Sequence, residues 1–175
     1  KSMKKLPETV KSFINDEEDH IRKIAPEVAK YKNMLYLGRG FNYPVAMEGA
    51  LKMKEISYIH AEGYSSGEMK HGAIALVDES LLSVFIITGE DKKSINNLRE
   101  IKARKGRVLV VTDDPDIIRP NINEEDFLIA VPKTREQLAP IINTIPLQLL
   151  AYYVAKELGR EIDKPRNLAK SVTVE

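Results

Sequence analysis

The sequence contains no cysteine. That absence excludes a disulfide scaffold, thiolate metal sites and thiol nucleophiles, and it fits a cytoplasmic protein. Histidine is scarce, with only His20, His60 and His71. None of the three belongs to a two-histidine helical ligand pattern, so no metal site is expected. No apolar run approaches the ~20 residues that span a bilayer, and the N-terminal stretch is too charged for a signal peptide. Charge of either sign is not in excess: 27 basic and 26 acidic residues leave a net +1. Such a balance supplies no field for nucleic acid or an anionic membrane, and no basic run carries interleaved aromatics. There is no internal repeat and no low-complexity segment.

What is present suits one domain: 175 residues, 43% of them hydrophobic. Residues 1–34 read as a helical lead-in that docks on the domain. Leu6, Val10, Phe13, Ile14, Ile21, Ile24 and Val28 fall at helical spacing, and Pro7 and Pro26 each suit a first turn, which predicts two short helices. Met34–Leu37 is a short apolar run ending in Gly38-Arg39-Gly40, a buried strand entering a glycine turn. A helix is predicted over Pro44–Ser57, a strand near Ile59–Glu62 and a small helix near Gly67–Gly72. Leu81–Thr88 is the strongest strand signal. A helix over Lys92–Lys105 is expected to stop at Gly106. Strands follow at Arg107–Thr112 and Phe127–Val131. A long helix over Leu138–Leu158 ends at Gly159, with Pro146 as a possible kink.

Strands that are continuously apolar and alternate with helices predict an α/β, three-layer αβα sandwich around a parallel, flavodoxin-like sheet. Ligands of such sheets usually lie beyond the carboxyl ends of the strands. The turns Gly38–Tyr43, Glu62–His71, Thr88–Lys92 and Thr112–Asp116 therefore attract attention.

Gly38-Arg39-Gly40 is not a dinucleotide fingerprint, because the position of the third glycine is Tyr43. The turn also lacks a Ser/Thr cluster, although backbone N–H groups at a helix start can hold a phosphate. In the following helix Glu48, Lys52 and Glu55 fall within a stripe about 60° wide. The rest of that helix is almost all apolar or small and reads as buried nearly all round. The stripe is either an ordinary surface ion pair or a set of charges facing a wet cleft, where they could serve acid/base chemistry. His71, between Lys70 and Gly72, is either a proton shuttle or a surface histidine at a helix end. His60 reads as packed in an apolar context, His20 as solvated. Lys170, between Ala169 and Ser171, is the kind of amine that forms a Schiff base when desolvated, though its composition alone says little.

Several segments together are recognisable. The stretch LGRG-FNYPVAMEGALKMKEISYIHAEGYSSGEMKHG resembles the opening of the second SIS (sugar isomerase) domain of the glutamine–fructose-6-phosphate aminotransferase family. PLQLLAYYVA and the ending DKPRNLAKSVTVE resemble that family's final helix and C-terminal tail. The likeness covers residues 35–175, a single SIS domain with its tail at 160–175, and makes 1–34 the joint between two SIS halves. It implies an isomerase lobe that converts fructose 6-phosphate and ammonia to glucosamine 6-phosphate, with no cofactor. Lys170 would form an imine with the open-chain sugar, Glu55 would move a proton between C1 and C2, and His71 would help open the ring while reaching a neighbouring subunit's site. Lys52 and Glu48 would line the same pocket. Arg166 and Ala169 would contact substrate, with Arg166 fixing the tail.

The resemblance also implies partners: a first SIS lobe, a glutaminase domain and a second copy in a homodimer. Two departures qualify it. Without cysteine the chain cannot release ammonia from glutamine. Without the Ser/Thr loop it lacks the phosphate anchor, so the isolated chain is expected to fold but to bind sugar phosphate weakly or not at all. The alternatives are a stand-alone SIS isomerase or deglycase, which should carry a complete phosphate loop, and a non-catalytic sugar-phosphate sensor, which has no use for an imine-forming lysine.

Overall fold

Five continuous apolar runs become five parallel strands. In this computed structural model, which describes residues 2–89 and 91–168, they are β1 (Asn33–Gly38), β2 (His60–Ser65), β3 (Leu81–Ile87), β4 (Arg107–Thr112) and β5 (Phe127–Ala130). The sheet order is β2-β1-β3-β4-β5, every pairing parallel. That is the flavodoxin-like order, whose direction of winding reverses between β1 and β3. All seven residues of β3 are buried, as a central strand covered on both faces requires.

Helices α1 (Ser2–Val28), α2 (Asn42–Ser57), α3 (Lys92–Ala103), α4 (Pro115–Ile118) and α5 (Ala139–Glu157) connect the strands. Two cores result. On one face α1, α2 and α5 bury Phe13, Ala46, Met53, Leu147 and Leu150 against Tyr36, Val84 and Val111. On the other, α3 and two 3-10 turns bury Leu98, Ile101 and Met69 against Leu35, Phe85 and Val110.

Residues 2–28 form one helix rather than two, with Pro7 and Pro26 inside it. An interior proline costs a helix about 3 kcal/mol. Phe13, Ile21 and Val28 are at most 3% exposed, and burying each such side chain contributes about 1.5–3 kcal/mol. Docking therefore outweighs the local breaks. The helix is fastened by His20, whose Nε2 donates to the Leu128 carbonyl at 2.9 Å, and by Tyr153, whose hydroxyl donates to Glu18 at 2.5 Å.

The Gly38 turn seats α2. A Cβ on Gly38 would lie 2.0 Å from the Asn42 carbonyl oxygen, so only glycine lets the helix start this close to the strand end. Gly106 behaves similarly. The left-handed residue ending α3 is Lys105, with φ 61, while a Cβ on Gly106 would lie 2.6 Å from Ile101 Cγ2. Its role is close approach, not the left-handed turn. The short helix α4 carries local signals that the strand-and-helix periodicity passed over: Asp114 caps it, accepting from the Ile117 N–H, and Pro115 opens it.

Candidate active site

α2 begins at the carboxyl ends of the strands and runs back toward their amino ends. Its buried face is Val45, Ala46, Gly49, Ala50 and Met53. At 100° per residue, Glu48 and Glu55 fall well away from that face and Lys52 at its edge, and Leu51, Met47 and Lys54 lie on the outer side beside Glu55. Met47 is 49% and Leu51 42% exposed, so α2 is not buried all round. An apolar shoulder stands next to the charged stripe because the sheet covers only one side of the helix.

The stripe is assembled as its spacing predicts. Lys52 Nζ lies 2.5 Å from Glu55 Oε2 and 3.9 Å from Glu48 Oε1. The three side chains keep between 27% and 37% of their surface. Ion pairs this exposed contribute about 0–1 kcal/mol, so the cluster is a minor support of the fold. It is a compact set of two carboxylates and one ammonium with water at hand. Glu48 also faces a groove of about 690 Å³ between α2 and the edge strand, with Met47, Leu51, Lys54, Glu62 and Tyr64 around it.

The tail comes to the same end of α2. The Arg166 backbone N–H donates to the Tyr58 hydroxyl at 3.0 Å, and the Arg166 guanidinium sits 4.3 Å from the Tyr58 ring centroid. Tyr58 is the C-terminal cap of α2, three residues beyond Glu55. Nothing in the sequence singled out Tyr58; its contact is with a residue 108 positions away. Ala169 and Lys170 lie outside the described residues.

His71 is not brought to this cluster. It ends the 3-10 turn Met69–His71, and Met69 is buried in the core on the α3 face. The sheet thus separates His71 from α2 within one chain. His60 is exposed rather than packed: Nδ1 lies 3.2 Å from Asn33 Oδ1 and Nε2 3.6 Å from Glu62 Oε1. β2 is the edge strand, and its first residue has sheet on one side only.

A separate cavity of about 430 Å³ opens at the carboxyl ends of β1 and β3, lined by Arg39, Asn42, Thr88, Asp91 and Glu136 among others. It occupies the point where the winding reverses, and the turns at Gly38–Tyr43 and Thr88–Lys92 both contribute. Its floor is a polar network invisible in the sequence. Asn42 Nδ2 donates to Thr88 Oγ1 at 2.9 Å, and Asn143 Nδ2 donates to Asn42 Oδ1 at 2.9 Å. Among the described residues, none of the charged stripe or the tail lines this cavity. Along the helix, at 1.5 Å per residue, the stripe begins at Glu48, about 9 Å from Asn42, and ends at Glu55, about 20 Å from it. The fold's usual ligand position and the charged stripe are therefore distinct places. Among the described residues no group of three His, Cys, Asp or Glu side chains could hold a metal ion, and no helix is long and apolar enough to cross a membrane.

Comparison with known proteins supplies a family. The sequence model of the SIS domain matches residues 27–157. A glutamine–fructose-6-phosphate aminotransferase (isomerizing) from Aquifex aeolicus (strain VF5) is 49% identical over 99% of this chain, which spans 29% of that relative. One from Mesorhizobium japonicum is 48% identical over 90% of this chain and 26% of the relative. The chain thus spans less than a third of the curated relatives it matches. Among solved structures, the C-terminal domain of glucosamine-fructose-6-phosphate aminotransferase from Francisella tularensis superposes with a TM-score of 0.84 at 37% identity, covering 92% of this chain and 45% of that one. The tagatose-6-phosphate ketose/aldose isomerase from Escherichia coli shares the fold, with a TM-score of 0.71 at 21% identity over 87% of this chain and 42% of that one.

Proposed function

This chain belongs to the SIS domain family, and we propose that it is the second SIS domain of a glutamine–fructose-6-phosphate aminotransferase, part of the lobe that makes glucosamine 6-phosphate from fructose 6-phosphate and ammonia. The observation that carries this reading is the Lys52 ammonium held between the Glu48 and Glu55 carboxylates, at the end of α2 where the tail docks through Arg166. Relatives of that name match nearly the whole chain.

The chemistry needs these groups. The Lys170 amine adds to the C2 carbonyl of the open-chain sugar and expels water, giving an imine that acidifies the C1 hydrogens. Ammonia displaces the lysine from C2 and remains as the amino nitrogen. The Glu55 carboxylate removes a C1 proton and returns it to C2. Lys52 offers positive charge where negative charge develops on the oxygen at C1. Glu48 orients Lys52 and, with Arg166 and Ala169, holds sugar and tail. His71, on the far face of the sheet, serves the site of a second copy in a homodimer and assists ring opening there.

A first SIS lobe would supply the phosphate anchor, and a glutaminase domain the ammonia. Residues 1–34 would connect to that lobe, with α1 docked on the domain. On this reading the protein works in the cytoplasm. A second reading has one observation in its favour: the cavity at the carboxyl ends of β1 and β3 is where a stand-alone sugar-phosphate isomerase would bind its substrate.

Borohydride trapping separates the two. The folded chain, alone and joined to its first SIS lobe, is incubated with fructose 6-phosphate and sodium borohydride, and its peptides are mapped by mass. A sugar adduct concentrated on Lys170 and lost in Lys170→Arg is expected in the joined protein and only weakly in the chain alone. In the joined protein, no adduct, or adducts spread evenly over surface lysines, overturns the assignment. Near-normal turnover of fructose 6-phosphate by this chain alone would favour the stand-alone reading.

A further inference from the structure

The path of the tail is set by a short series of local devices. α5 ends in a paired turn in which the Gly159 N–H donates to the Lys156 carbonyl at 3.0 Å and the Arg160 N–H to the Ala155 carbonyl at 2.9 Å. Gly159 sits at φ 62, the left-handed residue such a motif requires. The turn directs the chain back across the end of α2, and there it meets Tyr58 twice. The Arg160 guanidinium lies 5.4 Å and that of Arg166 4.3 Å from the ring centroid. The Arg166 backbone N–H also donates to the Tyr58 hydroxyl at 3.0 Å.

Tyr58 is itself unusual. Its backbone is left-handed, φ 65 and ψ 15, while its N–H still bonds the Lys54 carbonyl. Bulky residues rarely adopt this conformation, and glycine or asparagine would end the helix with less strain. The left-handed step turns the side chain off the helical spiral, and the ring receives both arginines.

From these contacts we infer that Tyr58 is a positioning residue, which clasps residues 160–166 and thereby sets where the C-terminal lysine can meet the carboxylates of α2. Its consequence for Lys170 rests on the reading given under Proposed function; the clasp itself does not. Lys170 is four residue steps beyond Arg166, a span of at most about 14 Å, against about 40 Å for the eleven steps from Gly159. Pinning the chain at Arg166 therefore raises the local concentration of the amine near Glu55 by about fivefold, from the −3/2 power of chain length.

Trypsin tests the clasp directly, because two of its cleavage sites in the tail follow the two stacked arginines. The Lys164–Pro165 bond is resistant, leaving Arg160–Glu161, Arg166–Asn167 and, beyond the clasp, Lys170–Ser171. Tyr58→Asn keeps a residue that tolerates the left-handed backbone and removes ring and hydroxyl. Tyr58→Phe keeps the stacking and loses one hydrogen bond. Cleavage at Arg166–Asn167 is expected to accelerate about tenfold in Tyr58→Asn and about threefold in Tyr58→Phe, with the urea midpoint no lower in either. Equal cleavage in all three proteins overturns the clasp. So does a rise in Tyr58→Phe as large as in Tyr58→Asn, since the ring would then contribute nothing.

The positioning role is read by borohydride trapping with fructose 6-phosphate. The Lys170 adduct should fall about fivefold in Tyr58→Asn and recover most of its yield in Tyr58→Phe. An undiminished adduct in a tail that has become cleavable overturns the positioning role. The trapping is done on the chain joined to its first SIS lobe, which supplies the phosphate anchor; if the unsubstituted joined protein gives no adduct, the Lys170 reading has failed, and the proteolysis decides the clasp by itself.

Discussion

Consider two alanine substitutions two residues apart, Gly38→Ala and Gly40→Ala. They are alike in composition and opposite in physical cause. A Cβ at 38 would meet three backbone atoms of the α2 start: the Asn42 oxygen at 2.0 Å, the Asn42 carbon at 2.4 Å and the Tyr43 nitrogen at 2.9 Å. Backbone cannot rotate aside, so the first turn of α2 must lift by more than an ångström. Overpacking of this kind costs about 1–3 kcal/mol. Lifting Asn42 also breaks its bonds with Thr88 and Asn143, and stranding those buried groups adds about 1–3 kcal/mol. The expected total is about 4 kcal/mol, a large share of the ~5–15 kcal/mol that holds a domain together. At Gly40 a Cβ would meet nothing within 4 Å, and the only penalty is the left-handed φ of 55, about 1 kcal/mol. Urea unfolding followed by circular dichroism measures both. With a slope of about 2 kcal/mol/M, the midpoint should drop by about 2 M for Gly38→Ala and about 0.5 M for Gly40→Ala. A Gly40→Ala shift as large as that of Gly38→Ala would refute the close-approach argument, as would a Gly38→Ala loss below about 1 kcal/mol.

The hydrogen bond to Glu18, helped by burial, pushes the Tyr153 hydroxyl from 10.0 up to about 12. The folded chain therefore holds a proton that the unfolded chain releases above pH 10, so this contribution is fully present below pH 10 and is lost as pH climbs toward 12. Stability measured against pH should fall more gently over that window in Tyr153→Phe, and an unchanged slope would refute the assignment. Asp126, whose side chain is fully buried, accepts from Lys102 at 2.6 Å, from the Asn123 N–H at 2.9 Å and from the Val108 N–H at 3.1 Å. Asp126→Ala should cost about 3–5 kcal/mol in chemical denaturation, and adding Lys102→Met should restore part of that loss by removing the stranded ammonium. Glu55→Gln should leave the urea midpoint almost unchanged, because its ion pair with Lys52 is only part-buried and stays open to water. On the function proposed above, the same change in the protein completed by its other lobe should slow solvent exchange of the C1 hydrogen about 10²–10⁴-fold, read by deuterium incorporation.

The sequence by itself determined the features that depend on near neighbours. Continuous apolar runs such as LLSVFII and RVLVVT can be satisfied only by burial on both faces, which implied the parallel three-layer sheet before any contact was known. The 3.6-residue period placed Glu48, Lys52 and Glu55 on one stripe of α2, and the stripe is assembled as that period requires. Tertiary structure decided what depends on distant partners. It made α1 a single helix, because burial against α5 and β5 outweighs two prolines that are locally unfavourable. It exposed Met47 and Leu51, because one sheet covers one side of α2. It placed His60 on an edge and His71 behind the sheet from α2, which periodicity cannot foresee because strand order is a long-range property. It joined Asn42 to Thr88 and Asn143 across 46 and 101 positions, and Tyr58 to Arg166 across 108. Local spacing sets which face a side chain occupies, but only the packed chain decides what that face meets.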